Sequence, residues 1–240
     1  MPSDEEPGNA AEDPALAELE RRLAVVRDRV QGVARGHHTG FYLFGRPGVS
    51  KTYTVRTTLD GLGVPFAYHA GHLTPVGLFE LLEENPDRVL VLDDVGHLLG
   101  QQVGLQLLLA ALGNQPDGGG ERVVRYRRQG RDATVRFTGG IVMVSNLELH
   151  DTPVLEALKS RVHVLRYDPT DEQVAALMRR IASKGWPASA PRVPAVECLE
   201  VAEFLVGESR RLAVRLDLRL LVDKSFPDYL QWREGHAETN

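Results

Sequence analysis

The sequence has few of the residues on which several protein classes depend. Cys198 is the single cysteine among 240 residues, which excludes a disulfide framework and a zinc site built from several thiolates. One thiol also fits a reducing compartment. No apolar run approaches the roughly 18 residues that a membrane-spanning helix needs. We therefore expect a soluble, cytoplasmic protein with no membrane partner.

Basic residues are missing from the first 14 positions, which hold five of the 33 acidic residues. A segment rich in Pro, Gly, Ser and Asp cannot bury enough apolar surface to offset its ordering entropy. We predict a disordered acidic tail over residues 1–14. The rest of the chain then has 28 acidic residues against 28 basic ones, so its net charge is zero.

Short apolar runs alternate with helical patterns up to Asp168. The runs are typical of strands buried on both faces, and they lie at 41–44, 66–68, 89–92, 141–144 and 162–165. Strands that alternate with helices predict an α/β fold with a parallel sheet between helices. After Asp168 the pattern is helical alone, so we predict two domains, an α/β core over residues 15–168 and a helical lid over 169–240.

The first apolar run ends in a glycine-rich loop that leads into a helix. Its residues are Gly45, Arg46, Pro47, Gly48, Val49, Ser50, Lys51 and Thr52. In this context the spacing predicts a phosphate-binding loop, in which backbone N–H groups and the helix N-terminus bind phosphates. Lys51 is then expected to reach the phosphate oxygens and Thr52 to contact Mg²⁺. Ser50 departs from the pattern, because a second glycine is usual at its position.

Two carboxylates, Asp93 and Asp94, follow the buried run 89–92. At the carboxyl end of a parallel strand, Asp93 would lie at the same edge of the sheet as the loop and bind Mg²⁺, usually through water. Asp94 could then orient and deprotonate an attacking water. The alternative is a pair of aspartates that caps the next helix.

With this loop and these paired carboxylates, the chain resembles the AAA+ ATPases from about Gly40 to Trp232. The resemblance implies a P-loop NTPase fold with a five-stranded sheet in the order 5-1-4-3-2 and a small helical lid. It also implies Mg²⁺-dependent ATP hydrolysis by a ring or arc of copies, for example a hexamer. The family most often has Glu where this chain has Asp94, which suggests slow turnover.

The resemblance assigns three further residues to the site. Asn146, after the run 141–144, matches the polar residue that helps to position the attacking water; its alternative is a turn or helix cap. Arg161 matches an arginine that acts on the nucleotide of a neighbouring subunit; its alternative is a surface arginine at a helix end. Arg219 is the expected contact to the γ-phosphate from the lid, with Arg215 on the same helical face and the nearby Arg210 and Arg211 as alternatives.

An arginine-rich stretch lies between residues 113 and 139. Around Gly130 it is typical of a β-hairpin, and residues 121–136 have a net charge of +4. Its position resembles a hairpin of one AAA+ branch that includes ring helicases, in which it contacts nucleic acid. Phosphate and base contacts are expected from Arg125, Tyr126, Arg127, Arg128 and Arg131. The alternatives are a solvated hairpin and one that packs against the next subunit.

Three functions are compatible with these patterns. The leading hypothesis is an ATPase that moves on or remodels DNA, as a small motor or loader. A second is a protein-remodelling ATPase of similar architecture, which acts with protein partners. The third is a nucleotide-gated assembly module in which Ser50 and Asp94 permit ATP binding but little hydrolysis.

Overall fold

The computed structural model describes residues 13–113, 120–128, 131–190 and 192–237. These residues form two compact units that are described separately. One unit is Leu23–Asp168, and the other combines the described residues up to Arg22 with those from Pro169 onward. The division after Asp168 coincides with the predicted boundary, whereas residues 15–22 belong to the C-terminal unit rather than to the predicted core. Most of the predicted tail, residues 1–12, lies outside the described residues.

The unit Leu23–Asp168 is built on a parallel five-stranded sheet. Its strands in chain order are β1 (Gly40–Phe44), β2 (Phe66–Ala70), β3 (Val89–Asp93), β6 (Ile141–Ser145) and β7 (His163–Arg166). The spatial order is β2-β3-β6-β1-β7. The strand numbers in this order differ from 5-1-4-3-2 because the labels also count β4 (Arg122–Arg128) and β5 (Arg131–Phe137). These two strands form a separate two-stranded sheet. Counted among the five sheet strands alone, the order from β7 is 5-1-4-3-2.

The strands β1 and β6 are buried along their whole length, which explains their unbroken apolar sequences. Helices flank the sheet, and two of them begin after threonine caps. Thr74 accepts a hydrogen bond from the Gly77 amide, and Thr152 accepts one from Leu155. The helices of this unit are the part of α1 (Pro14–Ala34) from Leu23 onward, α2 (Lys51–Leu62), α3 (Pro75–Glu84), α4 (Gly96–Leu99), α5 (Gln102–Ala111) and α6 (Pro153–Lys159).

The predicted hairpin is present as β4 and β5, and it packs on the helices α3 and α5. Its inward side chains Val124, Val135 and Phe137 are buried in the same hydrophobic core as the sheet. Successive residues of a strand point to opposite faces, so the strand neighbours of these three residues lie on the outer face. The turn residues Gln129 and Gly130, and the side chains of Arg128 and Arg131, lie outside the described part of the chain.

The C-terminal unit is helical. It contains α7 (Asp171–Ala182), α8 (Ala195–Leu212), a π-helix (Leu220–Ser225) and α9 (Phe226–Ala237). Thr170 and Gln173 form a capping box at the start of α7. Residues 214–217 are not helical and precede the last helical run. Arg215 and Arg219 therefore do not share a helical face, contrary to the prediction. Over the described residues, the structure contains no helix with the length and apolar character needed to cross a membrane.

Candidate functional site

Polar residues from three adjacent strands meet at one edge of the sheet. β6 lies between β1 and β3, and their register pairs Phe44 with Ser145 and Asp93 with Val144. The glycine-rich loop after β1 therefore begins at the same level as the carboxyl ends of the other two strands. This arrangement brings together the loop, the paired aspartates and Asn146, as the sequence predicts.

The glycine-rich loop, residues 45–52, has the backbone conformation of a tight turn. Gly45 has a φ of 155° and Gly48 a φ of 69°, in the region that favours glycine. A Cβ atom on Gly45 would lie 1.9 Å from the carbonyl oxygen of Tyr167. Ser50 has a φ of 70° although it is not glycine, and its buried Oγ has no hydrogen-bond partner among the described residues. Ser50, which stands where the loop pattern usually has glycine, therefore has a strained backbone conformation.

Replacing Gly45 with alanine is expected to lower the free energy of unfolding by about 3 kcal/mol, because backbone must move to admit the Cβ. Gly61→Ala is the matched control, since a Cβ on Gly61 meets nothing within 4 Å. That control is expected to gain up to about 1 kcal/mol from helix propensity. Urea unfolding measures both variants. Equal stabilities for the two would contradict the close approach at Gly45.

Lys51 is buried and its amino group lies inside the loop. Its Nζ donates hydrogen bonds to the carbonyl oxygens of Gly45 at 2.8 Å and Arg46 at 2.7 Å, and to Asn146 Oδ1 at 2.9 Å. A buried ammonium group is stable only when acceptors surround it in this way. Lys51 is therefore held at the centre of the loop, at the N-terminus of α2.

Asn146 connects Lys51 to Asp94. Its Oδ1 accepts from Lys51, and its Nδ2 donates to Asp94 Oδ1 at 3.2 Å. The two contacts use the two ends of one amide, which defines the orientation of the side chain. Asp94 itself has a φ of 54°, a conformation that aspartate tolerates better than most residues. Neither alternative from the sequence, a helix cap or a simple turn, requires this link.

Thr52 and Asp93 supply two oxygens that suit a hard cation. Thr52 Oγ1 donates to Asp93 Oδ2 at 2.8 Å. Adjacent oxygen ligands of octahedral Mg²⁺ lie about 2.9 Å apart, so the pair fits the spacing of two such ligands. Among the described residues no group of three or more His, Cys, Asp or Glu side chains could hold a metal. A two-oxygen site suits Mg²⁺, which keeps waters and phosphate oxygens as its other ligands.

Two tyrosines support this cluster and were not predicted from the sequence. Tyr68 donates its hydroxyl proton to Asp93 Oδ2 at 2.9 Å, and burial together with Asp93 raises the pKa of its phenol. Tyr42 is buried, donates to the carbonyl oxygen of Leu147 at 2.7 Å, and has a raised pKa because of burial. Both residues lie inside apolar strand patterns, so no sequence signal separates them from core residues.

The other loop residues position the loop rather than offer chemistry. Arg46 Nε lies 3.6 Å from Asp168 Oδ1, and both side chains are largely buried. Val49 is buried and Pro47 is exposed. The Tyr167 amide donates to the carbonyl oxygen of Phe44 at 2.7 Å, so the segment after β7 is joined to the start of the loop.

Arg161 is not part of this cluster. It precedes β7, whose first residue His163 pairs with Phe41 near the start of β1, so Arg161 lies at the opposite ends of the strands. Its side chain is exposed and donates to the carbonyl oxygen of Ala157 at 2.6 Å. Arg219 belongs to the C-terminal unit, where its side chain is exposed. There Arg215 lies 3.6 Å from Asp171.

The hairpin residues divide between its two faces. Arg125 and Arg127 are exposed on the outer face. Tyr126 faces inward, with its ring centroid 5.6 Å from that of Phe79, so in this conformation its ring packs against the core. The two acidic residues of the stretch, which its net charge of +4 already includes, both pair with arginines: Arg136 pairs with Glu121, and Arg127 Nε lies 3.7 Å from Asp132.

Comparison of the chain with protein-family models gave no match, and neither did comparison with curated proteins. The loop, the lysine held inside it, the amide that joins it to a carboxylate, and the two oxygens for a cation form one connected cluster.

Proposed function

We propose that the chain is a Mg²⁺-dependent ATPase with a P-loop NTPase fold of the AAA+ type. The observation that carries this proposal is the link from Lys51 through Asn146 to Asp94, which joins a phosphate-binding group to a candidate base for water. The parallel sheet between helices and the helical C-terminal unit are compatible with it. The resemblance to AAA+ ATPases stated above supports the same reaction.

Phosphate would bind where the loop meets the N-terminus of α2. Backbone N–H groups and the helix dipole favour an anion there. Lys51 already donates to two loop carbonyl oxygens, and phosphate oxygens offer stronger, charge-assisted acceptors for the same protons. ATP binding would thus exchange the internal contacts of Lys51 for contacts with the β- and γ-phosphates.

The remaining residues orient the reaction. Thr52 and Asp93 would hold Mg²⁺, which when bound neutralises charge on the phosphate oxygens. Asp94 would accept a proton from the attacking water, and Asn146 keeps that carboxylate in place through its Nδ2. Arg161 would act on the nucleotide of a neighbouring copy, and Arg219 would contact the γ-phosphate within its own chain. The active unit is then an oligomer.

Steady-state ATP hydrolysis, compared with Asp94→Asn as the blank, tests the proposal. Asparagine has the shape of aspartate and still accepts from Asn146, so the variant should fold and bind ATP. We expect the wild-type rate to exceed the blank about a hundredfold, the scale of a lost general base. Rates that coincide, in a wild-type protein that binds ATP, would reject hydrolysis as the function.

DNA is the first candidate target, as the sequence indicates. Arg125 and Arg127 on the outer face of the hairpin can reach backbone phosphates, whereas inward packing of Tyr126 disfavours base stacking. Single- and double-stranded DNA are therefore added to the hydrolysis assay at two salt concentrations. Stimulation that weakens at higher salt supports phosphate contact. Stimulation by protein partners alone would favour protein remodelling instead.

A nucleotide-gated assembly module is the second candidate, and Ser50 favours it. A non-glycine residue at a φ of 70° strains the loop that must close around phosphate. The carboxylate of Asp94 is also one methylene shorter than the usual glutamate. Both features would slow hydrolysis more than they weaken assembly.

Ser50→Gly is expected to raise the free energy of unfolding by about 1 kcal/mol, because glycine removes the strain. Ala213→Gly is the matched control, since Ala213 has a φ of 53° in the C-terminal unit. Both variants should gain stability, but only Ser50→Gly should raise ATP affinity and turnover, by about fivefold if the strain opposes phosphate binding. Equal ATP affinity and turnover in both variants would show that the strain at Ser50 does not oppose nucleotide binding.

A further inference from the structure

A cavity of about 500 Å³ lies at the amino ends of β1 and β7, within the unit Leu23–Asp168. We call it the amino-edge cavity. Its polar lining includes His37, His38, Thr39, Arg122, Arg161 and His163. The glycine-rich loop follows the carboxyl end of β1, so the cavity and the loop lie at opposite ends of the same strands. The proposed ATP site of the same chain does not use this space, and Arg161 is the one residue of the polar lining named above to which the proposed mechanism gives a role, on the nucleotide of a neighbouring copy.

Arg122 is an unusual feature of the amino-edge cavity. The residue is 5% exposed, and its Nε is buried without a hydrogen-bond partner in the described structure. Its other contacts are a hydrogen bond from Nη2 to the Gly139 carbonyl oxygen and the Phe137 ring, whose centroid lies 5.1 Å from Cζ. Burial lowers the pKa of this guanidinium. A buried cation with an unused donor is costly unless an anion compensates it.

The remaining lining is complementary to an anion. Arg161 adds a second guanidinium, and His38 and His163 lie with ring centroids 4.3 Å apart. None of the described residues that line the cavity is acidic. Guanidinium groups present planar pairs of donors that match phosphate oxygens. The volume also falls within the range of small-ligand sites.

We propose that the amino-edge cavity is a second phosphate-binding site, with Arg122 as its buried anchor and Arg161 as its exposed partner. The phosphate has two possible sources with the same chemistry. It is either a free di- or triphosphate compound, or the terminal phosphate of a nucleotide in the loop of a neighbouring copy. The second source rests on the proposed function, whereas the existence of the site does not.

Isothermal titration of the whole 240-residue chain with the change Lys51→Ala, using inorganic pyrophosphate as the ligand, tests the site. The Lys51→Ala background removes the main cation of the glycine-rich loop, so that binding reports the amino-edge cavity. We expect saturable binding that Arg161→Gln weakens by about tenfold or more, since it removes a charge-assisted contact. Arg166→Gln is the matched control, because it removes the same charge at the other end of β7 and should leave affinity unchanged.

Arg122→Gln is the second variant, with urea unfolding to check that it folds. If Arg122→Gln does not fold, the comparison between Arg161→Gln and Arg166→Gln still decides the test. Absence of pyrophosphate binding, or equal affinities in those two variants, overturns the proposal. Sedimentation of ATP-loaded protein with Lys51 intact then assigns the source. Assembly that is lost with Arg161→Gln but not with Arg166→Gln identifies the neighbour's nucleotide, and unchanged assembly identifies a free phosphate compound.

Discussion

Replacing Lys51 with alanine is expected to weaken ATP binding about a hundredfold, on the scale of two lost charge-assisted hydrogen bonds. The amino group of Lys51 joins the loop backbone to Asn146 through its hydrogen bonds. Removing it takes the positive charge from the phosphate position and also frees the amide that holds Asp94. Hydrolysis should therefore fall below detection even at saturating ATP.

Equilibrium binding of a fluorescent ATP analogue, followed by a hydrolysis assay, measures this effect. Lys184→Ala is the matched control, since Lys184 is exposed in the C-terminal unit and its loss should change neither result. Far-UV circular dichroism and urea unfolding show whether Lys51→Ala folds, because two loop carbonyl oxygens lose their donor. A folded variant with wild-type ATP affinity would show that the glycine-rich loop is not the phosphate site.

The cluster around Lys51 could be predicted from sequence because it depends on a simple geometric rule. Carboxyl ends of parallel strands meet at one edge, so polar residues that directly follow buried apolar runs must lie near one another. Asp93, Asp94 and Asn146 each stand in that position, and the loop follows another such run. Contacts of 2.8 to 3.2 Å among these residues agree with that expectation.

Tyr126 shows what local patterns leave undetermined. Alternation predicts that it faces away from Arg125 and Arg127, but which face packs inward depends on contacts with the distant helices α3 and α5. The arginines favoured an exposed aromatic for nucleic acid, whereas the core gains more by burying the ring against Phe79. Tyr68 was missed for a related reason, because its partner Asp93 lies on another strand, 25 residues along the chain.

The segment before Arg219 was predicted to be helical, and the conformation of its backbone explains why it is not. Arg215 and Arg219 are four residues apart, which places two residues on one face of a continuous α-helix. The α8 helix ends with Ala213 at a φ of 53°, and residues 214–217 are not helical. The Asp171 carboxylate accepts from the Leu216 amide and lies beside Arg215, which stabilises this break. Side-chain periodicity does not reveal a left-handed residue such as Ala213.

Arg161→Ala is expected to leave ATP binding nearly intact and to lower turnover about a thousandfold, the lower range for an arginine supplied by a neighbour. The position of Arg161 motivates this expectation, because it lies at the strand ends away from the loop of its own chain. Arg88→Ala is the matched control, since Arg88 is another exposed arginine of the same unit. Turnover that persists in Arg161→Ala, with Arg88→Ala also active, would exclude an essential role for Arg161.

Mixing two inactive variants separates action on a neighbour from action within one chain. Arg161→Ala retains its own Asp94, and Asp94→Asn retains its own Arg161. In a mixed assembly, some interfaces pair an intact Asp94 cluster with an intact Arg161, so hydrolysis should recover although neither variant turns over alone. Random mixing in a ring that needs only one intact interface per turnover restores about a quarter of the interfaces. A mixture that forms oligomers but stays inactive would place Arg161 in its own chain's chemistry or in folding, since an arginine that acts across the interface must complement.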